Sequence, residues 1–237
     1  LSALFLFLLP ETGYVKIDGV DITSIPLKKL RQSVGIIPQD PQMFTGTIKT
    51  NLDPYDEYSD EQIFESLRRV NLISMDELNT LKSNGYKKVA SSEENTNSNV
   101  NKFLNLSNTI SEGGSNISQG QRQLICLART LLRQPKVILL DEATASLDYK
   151  SDQIIQQTVR EEFSNCTIMT IAHRLKTVID YDKIAVLDNG ELREYDHPYS
   201  LLLNKESIFY SMCEDSGELE TLLKLAKEAF VKQLNSS

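Results

Sequence analysis

One short stretch near the middle of this chain of 237 residues limits the possible folds more than any other. Residues 137–140 are an unbroken run of Val, Ile and Leu, which is typical of a strand buried on both faces of a parallel sheet. The run ends in Asp141 and Glu142, and the carboxyl end of such a strand is where α/β proteins bind their ligands. The sequence therefore predicts an α/β fold with a candidate site at this strand end.

Strand and helix patterns alternate around this run. Strand-like segments occupy residues 33–38, 166–172 and 183–187, and apolar residues recur at helical spacing in 124–131 and after Gly217. We expect 166–172 to be a second strand buried on both faces, and residues 1–9 to be the tail of a buried helix that ends at Pro10. Such alternation favours a parallel sheet with right-handed crossovers.

Composition excludes several classes of protein. The net charge is −8 and no basic block is present, so nothing favours nucleic acid as a partner. No stretch approaches the about 18 apolar residues of a membrane-spanning helix, and any membrane association is expected to be indirect, through another polypeptide. Each of the three cysteines lies in an apolar stretch, which predicts buried, reduced thiols.

The strongest chemical pattern precedes the strand. Ser118-x-Gly120-Gln121 lies at the start of the helical pattern, where backbone N–H groups and the helix dipole attract an anion. On its own this pattern is also an ordinary helix cap. At the strand end, Asp141 could hold Mg²⁺ through water and Glu142 could polarise an attacking water, although two carboxylates can also simply cap a turn.

Together these elements resemble the signature motif (117–121), the Walker B strand with its catalytic glutamate (137–142) and the D-loop (146–148) of an ATP-binding-cassette (ABC) ATPase. Segments 24–31, 37–44, 46–48 and 51–54 are similar to subfamily C, the multidrug-resistance-associated group, and specifically to its C-terminal nucleotide-binding domain. Residues 212–217 are similar to fungal members of that group. The resemblance implies an ABC-type P-loop NTPase fold: a parallel sheet with flanking helices, and a helical subdomain at about 45–133 with a polar loop insertion at about 83–102.

The resemblance also assigns roles to residues that composition and spacing leave open. Without the resemblance, Gln39 between two prolines would be interpreted as part of a surface turn, and His173 at a strand end would be interpreted as a structural residue. The implied cofactors are ATP and Mg²⁺, and the implied site comprises Glu142 and His173 for catalysis, Asp141 and Gln39 for the metal, and Gln39, Ser118, Gly120, Gln121 and Asp148 for the nucleotide.

In such a transporter, two nucleotide-binding domains enclose two ATP molecules and act on transmembrane domains. The partners implied are therefore the second nucleotide-binding domain and the transmembrane domains of an ABC transporter. The expected location is the cytosolic face of a membrane, either vacuolar or plasma, with the vacuolar membrane favoured. The implied function is ATP-driven export of organic anions or conjugates.

One departure from the family pattern limits this reading. The sequence contains no G-x-x-x-x-G-K-[ST], the loop that holds ATP phosphates. We therefore expect residues 1–237 to form a single nucleotide-binding domain that lacks its N-terminal strand and Walker A loop. Such a domain would be an ATPase in the full-length context and inactive alone. The alternative is a non-enzymatic relic or interaction module that donates its signature motif to a partner ABC half.

Overall fold

The computed structural model describes residues 3–86, 101–141, 149–172 and 174–235. The chain divides into two units, Leu1–Ile171 and Ala172–Ser237. The helices and strands of the first unit are β1 (Lys16–Ile17), β2 (Val20–Asp21), α1 (Leu27–Ser33), β3 (Val34–Ile37), β4 (Gly46–Thr47), α2 (Ile48–Leu52), α3 (Asp60–Arg69), α4 (Met75–Ser83), β5 (Thr109–Ile110), α5 (Gln119–Arg133), β6 (Val137–Asp141), α6 (Tyr149–Glu162) and β7 (Thr167–Ile171). Those of the second unit are β8 (Ile184–Asp188), β9 (Glu191–Asp196), α7 (Pro198–Leu203), α8 (Ile208–Asp215) and α9 (Leu219–Leu234).

The expected parallel sheet lies in the first unit, where β6 is flanked by β3 and β7. Both neighbours pair with β6 in parallel. Ile138 and Leu139 of β6 are entirely buried, because a central strand with both faces covered leaves its side chains no route to water. The prediction of an α/β fold built on a buried strand at 137–140 is confirmed.

The expectation that residues 166–172 are buried on both faces is wrong. Residues of β7 alternate between exposed and half-buried, and Met169 and Ile171 expose 48% and 44% of their surface. Within the part of the chain that the structure describes, β7 is an outer strand of the sheet. An outer strand has fewer neighbours to cover its side chains, which explains the difference.

The expected helix tail at residues 1–9 is also absent from the described part of that segment, which forms turns from Ala3 onward. Phe5 is buried against a small cluster that includes Leu30 and Leu139, whereas Phe7 exposes 67% of its surface. Leu6 has a φ of 53°, which a right-handed helix cannot contain. So short a segment cannot repay the cost of nucleating a helix without packing along one full face.

Helix starts in the first unit follow the sequence closely. Ser59 caps α3 and Gln62 returns the bond to the Ser59 amide, which is a capping box of the S-x-x-Q type. The same arrangement begins α5 at Ser118. Ile125 and Leu127 of α5 share one core cluster with Ile138 of the sheet, so the helices and the sheet are packed together.

The proposed subdomain boundaries stay predictions. Residues 45–133 contain the described helices α2 to α5, and the single-domain assignment for residues 1–237 is likewise untested. The polar insertion predicted at about 83–102 falls mostly on residues 87–100, which lie outside the described residues.

The second unit has its own core. β8 and β9 form an antiparallel hairpin that turns at Asn189 and Gly190, both with positive φ. Phe209, Cys213 and Leu222 from the helices are buried in one hydrophobic cluster with Val186 of β8. The strand expected at 183–187 and the helix expected after Gly217 are both present.

The three cysteines are free thiols. Cys126 and Cys213 are buried, as expected, and desolvation raises the pKa of each to about 11. Both are therefore protonated and poorly reactive at neutral pH. Cys166 is only half-buried.

Candidate functional site

The parallel sheet brings two of the expected metal-binding residues to one edge. Ile37 at the end of β3 pairs with Leu140 of β6. Gln39 follows two residues after Ile37, and Asp141 is the last residue of β6. Since hydrogen-bonded strands lie about 4.8 Å apart, both residues occupy neighbouring positions at the carboxyl edge of the sheet. Gln39 is exposed and Asp141 half-buried.

A buried glutamine on α5 holds the backbone at Gln39. The Gln123 side chain donates to the carbonyl oxygens of Pro38 at 3.0 Å and Gln39 at 3.1 Å. Sequence reasoning gave Gln123 no role of its own. The signal that could have found it is a polar residue within the otherwise apolar stretch 123–128, which the structure shows to be buried throughout.

The segment after Gln39 is fixed by a second residue of α5. The Arg129 guanidinium donates to the backbone oxygens of Gln42 and Asn51 and to Asn51 Oδ1. Asn51 in turn bonds both backbone groups of Phe44, at 2.9 and 2.8 Å. Burial lowers the pKa of Arg129 from its ordinary value, so its surroundings disfavour the charge that these carbonyls stabilise. This residue was also missed from sequence.

The segment held by Arg129 borders a cavity of about 420 Å³. Phe44, Leu52 and Pro54 contribute apolar lining, and Arg129 and Arg133 contribute positive charge. Phe44 exposes 64% of its surface although its backbone is held by Asn51. The result is an aromatic side chain presented to solvent from a fixed loop.

The expected anion-binding element forms the start of α5. Ser118 Oγ accepts from the Gln121 amide at 3.2 Å, and Gln121 Oε1 accepts from the Ser118 amide at 3.1 Å. This reciprocal cap leaves the helix dipole directed at the region before Ser118. Ser118 is exposed and Gln121 half-buried, so ligand can reach this helix end.

Gly120 serves helix packing as well as any ligand. A Cβ at this position would lie 2.9 Å from Ser151 Oγ and 3.2 Å from Ser151 Cβ, because the start of α5 lies against the start of α6. A side chain at position 120 would crowd Ser151 and require it to shift, so helix packing favours glycine here independently of any ligand.

Three expected site residues, Glu142, Asp148 and His173, lie outside the described residues. Among the residues that are described, no group of three or more His, Cys, Asp or Glu side chains could hold a metal ion by itself. One carboxylate and one amide fit Mg²⁺ bound to a nucleotide, since Mg²⁺ takes one or two protein oxygens and completes its shell with phosphate and water. Asp141 and Gln39 supply that donor set.

Comparison with known proteins identifies the family. Residues 1–145 match the family model described as ABC transporter. The chain belongs to the ABC transporter family. The fold and the family resemblance read from the motifs are thereby confirmed.

Curated relatives of this ABC domain are much longer than it. It is 66% identical to the ATP-dependent bile acid permease of Saccharomyces cerevisiae over 100% of its own length and 14% of the permease. It is 43% identical to human ATP-binding cassette sub-family C member 4 over 98% of its length and 16% of that protein. A bacterial Atm1-family ABC exporter with ATP bound has the same fold, with a TM-score of 0.73 and 29% identity over 91% of this chain and 34% of that one.

The relatives are therefore membrane transporters of which this chain matches about one seventh. No helix in its described ranges is long and apolar enough to cross a bilayer. The chain has the fold of the nucleotide-binding domain of ABC transporters.

Proposed function

We propose that this chain is the ATP-hydrolysing domain of a subfamily C exporter and that it powers the export of organic anions or conjugates. The observation that supports this most is the shared sheet edge of Gln39 and Asp141 in a chain of this family. There Asp141 and Gln39 would hold Mg²⁺, which supplies charge neutralisation on the phosphates. Glu142 would polarise the attacking water and His173 would contact the γ-phosphate.

The start of α5 would serve a second nucleotide. Ser118, Gly120 and Gln121 lie at a helix N-terminus, which favours phosphate oxygens. By resemblance, the ATP bound there belongs mainly to the other nucleotide-binding domain of the transporter. Asp148 would carry signals between the two sites. The chain would thus contribute to both ATP sites of a pair of domains.

The cavity beside Phe44 suits the transmembrane partner. It adjoins the Gln39 segment, combines apolar lining with Arg129 and Arg133, and presents an exposed aromatic ring. A cytoplasmic loop of the transmembrane domains could pack in this cavity and respond to movement of the Gln39 segment. This arrangement would put the chain at the cytosolic face of a membrane, and we favour the vacuolar over the plasma membrane.

The substrate class rests on the relatives. One of them is named for bile acids, which are amphipathic organic anions. We extend this class to the present chain because its similarity to that permease covers all 237 residues. Transport of an organic anion by a transporter that contains this domain is the test of this part of the proposal.

The catalytic role of Glu142 can be tested in a chimera. Residues 1–237 replace the matching segment of the Saccharomyces cerevisiae permease, and Glu142→Gln is compared with Glu161→Gln, which removes an exposed carboxylate from α6. Loss of the general base is expected to lower ATP turnover by about 10²- to 10⁴-fold with ATP still bound. Undiminished hydrolysis by Glu142→Gln would refute the proposed role, and loss in Glu161→Gln would show that the assay reports folding.

On its own, the polypeptide of residues 1–237 is proposed to hydrolyse no ATP. A phosphate loop makes several charge-assisted bonds of about 1.5–3 kcal/mol each, and losing three removes roughly 5–9 kcal/mol. Micromolar binding amounts to about 8 kcal/mol in total. If the isolated polypeptide binds no ATP yet raises the turnover of a partner ABC half, the alternative function as a signature-donating module gains support.

A further inference from the structure

The buried side chain of Gln123 holds the backbone at Pro38 and Gln39. Gln123 exposes only 1% of its surface, and its Nε2 donates to Pro38 O at 3.0 Å and to Gln39 O at 3.1 Å. Both partners are carbonyls, which can only accept hydrogen bonds. The orientation of the amide is therefore set by its partners, since only its nitrogen can donate.

These two carbonyls lie where the sheet no longer provides partners. The ladder between β3 and β6 ends at the pair Ile37 and Leu140. Beyond it, Pro38 has no N–H to offer and the chain leaves the strand direction. Backbone oxygens that leave a sheet need another donor, and Gln123 donates to both.

The Gln39 side chain itself is exposed, so its reach toward the carboxyl edge depends on the backbone from which it starts. Two adjacent carbonyls bonded to one amide fix that backbone on both sides of the Gln39 peptide. The donor is carried by α5, a continuous helix of 15 residues. The position of Gln39 relative to Asp141 is thus tied to a rigid element.

We infer that Gln123 is a positioning residue for ATP hydrolysis, which acts by holding the Gln39 backbone so that the Gln39 side chain meets Mg²⁺ and water beside Asp141. The inference rests on the proposed function, because it requires Gln39 to serve the metal. Gln123 itself would not contact the reacting atoms.

The test uses the chimera with the Saccharomyces cerevisiae permease and a double-mutant cycle. Gln123→Met keeps the length of the side chain and removes both donors. It is expected to raise the Mg²⁺ concentration for half-maximal ATPase by about 10- to 100-fold, the usual effect of losing an outer partner of a metal ligand, with little change in the KM for ATP. In a Gln39→Ala background the same substitution should have no further effect.

A second variant covers the case in which methionine is poorly tolerated. Gln123→Glu keeps the shape but turns oxygens toward the two carbonyls, and its carboxyl regains one O–H donor when protonated. Its activity relative to the parent is expected to recover as the pH falls, because burial favours the neutral acid. Gln157→Glu on the exposed side of α6 adds the same charge and should match the parent at every pH.

The outcomes separate the inference from the proposed function. If Gln39→Ala lowers turnover and both Gln123 variants leave it unchanged, the inference is overturned and the role of Gln39 stands. Equal losses from Gln123→Met in both backgrounds would make Gln123 merely structural and also overturn it. If Gln39→Ala itself changes neither turnover nor the Mg²⁺ dependence, the proposed metal role of Gln39 fails and takes the inference with it.

Discussion

Replacing Arg129 by methionine is expected to loosen the segment from Gln42 to Asn51 without unfolding the domain. Methionine keeps most of the apolar stem of arginine and removes its donors. The oxygens of Gln42 and Asn51 would lose their bonds to the guanidinium. Asn51 would then lose one of the contacts that orient its side chain, whose Oδ1 accepts a hydrogen bond from the Phe44 amide at 2.9 Å.

The size of the effect follows from these bonds. Three bonds from a charged donor contribute about 1.5–3 kcal/mol each at most. Part of this is offset, because burial lowers the pKa of Arg129 and so opposes its charge, and removing the charge relieves that cost. A net loss of about 3 kcal/mol is expected, at the low end for breaking a buried charged network. This corresponds to roughly 100-fold more frequent opening of the segment.

Hydrogen exchange of the chimera, followed by mass spectrometry on peptides spanning residues 42–52, measures that opening directly. Arg133→Met is the matched control, because Arg133 belongs to the same helix and is exposed. Arg129→Lys keeps the charge and loses the fork, so an intermediate rate is expected. If Arg129→Met exchanges no faster than Arg133→Met across this segment, the bonds do not hold it and the reasoning fails.

Two further substitutions test packing and charge. Gly120→Ala should impair ATPase activity because its Cβ would lie 2.9 Å from Ser151 Oγ. If helix packing is the cause, Ser151→Gly should restore the activity. Failure to restore it would indicate that the nucleotide itself requires glycine at this position. Burial lowers the pKa of His197 below its ordinary 6.5, and its Nδ1 accepts from the Tyr199 amide at 3.0 Å. The folded state therefore favours the neutral ring. The resulting contribution to stability is complete above about pH 6.5. It should decline as the pH falls below that value, because the unfolded chain then takes up a proton that the folded chain does not. His197→Asn keeps an acceptor and should abolish this slope in thermal melts of the chimera, whereas an unchanged slope would assign it to other groups.

The features predicted correctly from sequence are those with local causes. The strand at 137–140 follows from an unbroken apolar run, and the start of α5 follows from Ser118 and Gln121 three residues apart. The prediction that β7 is buried was wrong, because the pattern of 166–172 indicates apolar character but does not indicate which elements cover the strand. Coverage depends on neighbours distant in sequence, and local periodicity does not encode it.

The residues missed at the site have the opposite character. Gln123 and Arg129 bond acceptors that lie 78 to 87 residues away along the chain. Both lie in α5, and neither bond can be inferred from helical spacing. Only the occurrence of a polar side chain at a buried position indicates that a partner must exist. Identifying the partner required the fold.

At the start of α5, one set of side chains satisfies the helix and keeps donors for the anion that we propose binds there. In the capping box, Ser118 Oγ and Gln121 Oε1 act as acceptors for backbone amides. An anion needs donors, which are the Ser118 hydroxyl hydrogen and the Gln121 Nε2 hydrogens. The two roles therefore draw on different atoms of the same residues. Replacing Gln121 by glutamate would keep the capping acceptor and remove the amide donors, and it would place a negative charge where the proposed phosphate binds. For that reason a glutamine suits this position, whereas either side chain would suffice for the cap alone.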